Sequence, residues 1–180
     1  NRKLALPLSE FVQEELWDRQ SSPYVAQSEV TGSIQGAVMS LLDQDPDRFN
    51  AQMKYAKDFF EYFKLKQMRT NPVTGDERMA QMGNNFQDFA GTLFGIIVQS
   101  FPLDQAETVY AGAPDWLRQY SFDFLKKLWG EELKSDVAVG GRKFEQIFPE
   151  PPGMDLFRAE MEKKIKAAEA ARPKTNTELK

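Results

Sequence analysis

Apolar residues recur with helical spacing along most of this chain, and the densest run, FQDFAGTLFGIIVQSF from Phe86 to Phe101, lies near its middle. Ten consecutive residues within it, Phe89 to Val98, carry no charge. A membrane-spanning helix needs about 20 apolar residues, so this run fits the buried centre of a helical domain better than a bilayer. The flanking pattern predicts the rest of the bundle. Phe11, Val12 and Leu16 mark an amphipathic helix from Ser9 to about Gln20, and Ser22-Pro23 opens a second that runs from about Tyr24 to Leu42. Its stripe is Val30, Ile34, Ala37, Val38 and Leu41, beside a row of small residues at Gly32, Gly36 and Ser40.

Asp43, Asp45 and Asp47 alternate as in the opening of a calcium loop, but Arg48 and Lys54 stand where such a loop needs glycine and glutamate. The stretch reads instead as a helix start, with Asp45 as cap and Pro46 in the first helical position. From Pro46 to about Arg69 two apolar rows run side by side: Phe49, Met53, Ala56, Phe60 and Phe63, then Tyr55, Phe59 and Tyr62. That face is wider than one packing seam requires. Either both rows meet neighbouring helices, or the Tyr55, Phe59 and Tyr62 row meets a partner protein or an apolar ligand.

After a TNPVTG loop, Asp76 is expected to cap the central helix, with Met79 and Met82 continuing its period to Phe101. Gly83, Gly91 and Gly95 each cost a helix about 1 kcal/mol relative to alanine, so close backbone packing or a flat ligand is expected there. Gly91 and Gly95 share a face, for which the Gly32/Gly36 row is the expected counterpart. A short helix capped by Asp104 reaches Tyr110, and an aromatic-rich helix follows Pro114 through Trp129, with Gly130 as its C-terminal cap. Gly140-Gly141-Arg142-Lys143 lacks the ending of a phosphate loop and reads as a turn before a short helical turn that stops at Pro149.

The expected organisation is a helical domain over 1–148, a proline-rich linker at 149–153, an amphipathic helix over 154–172 and a tail at 173–180. The last helix carries Phe157, Met161, Ile165 and Ala168 on one stripe, with Glu160/Lys164 and Glu162/Lys166 as i, i+4 pairs. A narrow stripe behind a stiff linker suits a docking element, or a helix folded back on its own body. The fold class is all-α: a compact bundle of about five or six helices around a central apolar helix, with a proline-linked C-terminal helix.

Composition narrows the chemistry. The 180 residues contain neither cysteine nor histidine, which excludes disulfides, thiolate metal sites, cysteine or histidine nucleophilic triads and the usual di-iron bundle motif. The net charge of -4 and the small, acid-flanked lysine clusters argue against nucleic acid as a partner. Lys126 and Lys127 beside aromatic residues raise the question of membrane contact, but Asp115, Asp123, Glu131 and Glu132 limit it to a peripheral one. Fourteen phenylalanines must be buried or form an adhesive face. Beginning at Asn1, the sequence is expected to be a processed mature chain or part of a longer one, acidic and soluble, with no compartment indicated.

The function expected on these grounds is non-enzymatic: a structural subunit or assembly factor with no cofactor and no metal. It would contact another protein, or itself, through the 154–171 helix or the aromatic face of 49–63. Its contact residues would be Tyr55, Phe59, Tyr62, Gly91, Gly95, Phe157, Met161 and Ile165. A carrier of a lipid or pigment is the alternative, drawing on the same aromatic residues and glycines, and a carboxylate-based enzyme is a second.

Overall fold

The computed structural model describes residues 23–70, 85–134 and 141–171. The expected first helix at Ser9–Gln20, most of the TNPVTG loop, the Asp76–Gly83 stretch, Val137–Val139, Gly140 and the tail from Pro173 lie outside those residues. Within them the fold is all-α. Helix α1 spans Pro23–Leu42, α2 Pro46–Thr70, α3 Phe86–Gln99, α4 Leu103–Gly112, α5 Asp115–Trp129, α6 Phe144–Ile147 and α7 Met154–Ala171, with a 3-10 turn at Glu132–Lys134.

The α1–α2 hairpin is closed by local chemistry. Gln44 adopts a left-handed φ of 57°, and the Gln44 and Asp45 amides donate back to the Leu41 and Ser40 carbonyls. Those bonds satisfy the last carbonyls of α1 in the Schellman manner, with glutamine where glycine is usual. Asp45 then accepts from the Arg48 amide at 3.1 Å, capping α2 as its sequence predicts. Ser33 Oγ donates to the Gln52 carbonyl at 2.8 Å, and Tyr55 donates to Glu29 at 3.0 Å, fastening the two helices side by side.

Helix α3 is the centre of the bundle, in contact with α1, α2, α4 and α5. Phe86 and Ala90 enter a core cluster with Val30 and Ile34 of α1 and Phe59, Phe60 and Phe63 of α2. Phe94 and Val98 enter a second with Val38, Leu41, Val109, Tyr110, Leu117 and Leu125. The helix starts at Phe86, not at Asp76. Asn85 is extended (φ -142°) and its side chain accepts from the Asp88 amide at 2.8 Å, satisfying a first-turn donor that a continuous helix would have paired with its own backbone. A second correction concerns α4, where Pro102 holds the cap position and Asp104 lies in the first turn. There the acid faces the helix dipole instead of bonding an amide.

The glycine faces also differ from expectation. Gly91 and Gly95 do not meet the Gly32/Gly36 row; they meet α5. A Cβ at Gly91 would lie 2.3 Å from Tyr120 Cδ2, and one at Gly95 3.0 Å from Phe124 Cδ2. Both contacts advance in the same chain direction, so α3 and α5 run parallel, with α4 connecting them in sequence. Gly36 instead faces the Gln52 side chain, and a Cβ at Gly32 would touch nothing within 4 Å.

Short α6 and the segment after it close the far end. Phe144, Ile147 and Phe148 are buried, and Phe148 meets the Tyr110 ring edge-on at 5.3 Å. The 149–153 stretch, expected as a spacer, is packed down. Tyr110 donates its hydroxyl to the Pro149 carbonyl, Pro151 is buried, and Gln119 donates to the Pro152 carbonyl at 2.7 Å.

The glycine environments give opposite expectations for one substitution. Gly91→Ala should destabilise the fold by about 1–3 kcal/mol through overpacking on Tyr120. Gly32→Ala should stabilise it by about 0.5–1 kcal/mol, because only helix propensity changes. Urea denaturation of the two variants checks both signs.

Candidate functional site

The residues predicted as contact groups do not form one surface. Phe59 is 1% exposed and belongs to the core, so the Tyr55, Phe59 and Tyr62 row is not a continuous outer face. Tyr55 and Tyr62 are half-buried, the former bonded to Glu29. Gly91 and Gly95 are covered by α5 rings. What the fold does assemble is a groove of about 310 Å³ where α7 lies against α3 and α5. Its walls include Asp88, Tyr120, Phe157, Met161 and Lys164.

This junction is built from one ring contact and a set of charges. Phe157 packs edge-on at 4.8 Å against Tyr120, the ring that also covers Gly91. The Tyr120 hydroxyl donates to Asp88 Oδ1, and Lys164 Nζ donates to both Asp88 oxygens at 2.9 and 2.8 Å. Asn85 adds a donor to Asp88 Oδ2 at 3.0 Å. One helical turn along α5, Arg158 grips Asp123 at 2.9 and 3.2 Å and reaches Glu150 at 3.5 Å. Lys164 therefore does not pair with Glu160, as its spacing suggests; Glu160 meets Lys163 at 3.7 Å, while Glu162 and Lys166 pair at 3.2 Å as predicted.

These contacts set the proton chemistry. Burial raises the Asp88 pKa, but the hydrogen bonds from Lys164, Tyr120 and Asn85 outweigh it and hold the carboxyl below its ordinary 3.8. Burial, then the bond to Asp88, pushes the Tyr120 phenol above its ordinary 10.0. A carboxylate so supplied with donors is a poor base and a phenol so bound is a poor acid. The constellation is suited to holding α7, not to moving protons.

A larger groove of about 530 Å³ lies between the α1–α2 turn and α4, lined by Leu41, Asp45, Pro46, Glu107 and Gly112. Its Glu107 accepts from the two terminal guanidinium nitrogens of Arg142 at 2.6 and 2.7 Å, and that hydrogen bonding keeps the carboxyl below its usual value. The cap bond of Asp45 and the ion pair of Asp43 with Arg48 likewise engage two of the three acids that suggested calcium. Among the described residues no group of three or more acids is placed to hold a metal ion.

Of the α7 residues predicted to make contacts, Phe157 and Met161 are half-buried at the groove and Ile165 is 56% exposed beyond it. Asp88, Tyr120, Asp123, Arg158 and Lys164 were not expected to act together. Lys164 and Asp88 are 76 positions apart, a distance over which local spacing carries no signal.

Because the folded Asp88 pKa is depressed, its stabilising contribution is complete above 3.8 and is lost as the pH falls through the lower folded value. The stability difference between the native chain and Asp88→Asn should therefore be larger at about pH 7 than at about pH 2.5, as read by urea titration. A difference that does not change with pH would contradict the assignment. Comparison with protein-family models, curated proteins and solved structures finds nothing that matches this chain.

Proposed function

We propose that this protein is a helical structural subunit or assembly factor that binds another protein through the distal half of α7. The observation that carries this reading is the division of one apolar stripe. Phe157 and Met161 are covered in part by the body, whereas Ile165 is 56% exposed and Ala168 is exposed. From Glu162 to Ala171 every residue of the helix is exposed. A helix with an unclaimed apolar edge, carried on a packed base, has the form used in helix-in-groove recognition.

Its surroundings support the same reading. Glu162/Lys166 and Glu160/Lys163 are pairs that favour the helical form of this half by about 0.2–0.5 kcal/mol each. The alternative, a carrier of a flat apolar ligand, gains less support, because the space beside Gly91 and Gly95 is filled by the Tyr120 and Phe124 rings.

Ile165→Asp should change the stability of the body by less than about 0.5 kcal/mol, since the side chain is exposed there. Native mass spectrometry of protein taken gently from its source should show a higher-mass assembly, and the same change should abolish it. Phe157→Asp should cost about 1–2 kcal/mol through lost contact with Tyr120. If the native chain is recovered only as a monomer, or Ile165→Asp assembles as the native chain does, the proposal fails.

A further inference from the structure

We infer that α7 is a self-masking arm: ionic contacts hold it against the α3–α5 groove, and its release about Gly153 uncovers the inner half of its apolar stripe. The use made of that stripe rests on the function proposed above, whereas the opening itself does not.

The manner in which α7 is attached points to reversibility. Of its 18 residues only Met154, the first, is buried. Beyond Met154 the helix is held by the Phe157–Tyr120 ring contact and by Arg158 and Lys164 reaching Asp123, Glu150 and Asp88. Among the described residues, each ion pair that crosses to the body puts a cation of α7 on an acid of the body, and the Arg158 and Lys164 side chains are 40% and 50% exposed. Exposed pairs of this kind are weak singly and are screened by salt. The base, by contrast, is fixed through Pro149, Pro151 and Pro152. Gly153 stands between the fixed base and the arm at φ +76°, a conformation that glycine adopts and leaves without steric penalty.

Closing the arm hides part of Phe157 and Met161 and leaves Ile165 and Ala168 outside. Opening it would join all four into one edge spanning three turns. The closed form thus withholds half of the recognition surface, and any condition or partner that competes for Arg158 and Lys164 favours the complete one.

The chain has no cysteine, so Thr92→Cys on α3 and Ala168→Cys on α7 provide two unique attachment points for spin labels, both at exposed positions. In the full chain, the label-to-label distance should form one narrow population at about 0.01 M salt, where the Debye length is ~30 Å. It should broaden and lengthen by on the order of 10 Å at about 1 M salt, where that length is ~3 Å, given an arm rising ~1.5 Å per residue. Lys164→Glu, which sets a second carboxylate against Asp88, should give the open population already at low salt, and Lys164→Gln an intermediate one. Circular dichroism should show the helical content and melting of the body retained in both. A single narrow distance in all of these conditions would overturn the inference and make α7 a fixed part of the bundle. An arm that opens while Ile165→Asp leaves assembly intact would uphold the opening and reject the proposed function.

Discussion

Helix α3 must satisfy four neighbours at once, and the rest of the architecture follows from that demand. Its Phe86 and Ala90 end belongs to the α1–α2 cluster, and its Phe94 and Val98 end to the cluster shared with α4 and α5. A helix in that position cannot carry charge on most of its surface, which accounts for the uncharged run from Phe89 to Val98. Its closest approach is to α5, and there only glycine fits. Tyr120 lies on the Gly91 backbone and Phe124 on Gly95. The cost of two glycines in helix interior is offset by the ring area this contact buries.

That contact also places one of the charged junctions by which α7 is held. With its ring on Gly91, Tyr120 delivers its hydroxyl to Asp88 in the first turn of α3, where the helix dipole already favours a carboxylate. Lys164 then completes the charge balance from α7. Steric fit between α3 and α5 thereby decides where α7 can be held.

Much of this fold was legible in the sequence, for local reasons. Pro46 and Asp45 announce the start of α2, Pro114 and Asp115 that of α5, and the stripe from Val30 to Leu41 gives α1 its buried side. The start of α3 was less legible, because the spacing that continues its apolar pattern toward Asp76 gives no sign of the cap that Asn85 supplies one residue before Phe86. Pairing was harder still. Two rows of small residues resemble matching surfaces, yet the Gly91 row is filled by bulky rings that have no small-residue signature of their own. At the candidate site, the stripe of α7 could be read from spacing, whereas the choice of Asp88 by Lys164 over nearby Glu160 arises only once three helices are in place.

The ring seated on Gly91 also makes four scattered positions behave as a single unit of variation. Any side chain larger than hydrogen at 91 displaces the ring at 120. A smaller residue at 120 would remove the hydroxyl that helps hold Asp88 ionised, and a change at 88 would leave Lys164 without the partner that fixes it. Substitution at 88, 91, 120 and 164 is therefore constrained jointly, with steric space at one end of the series exchanged for charge at the other.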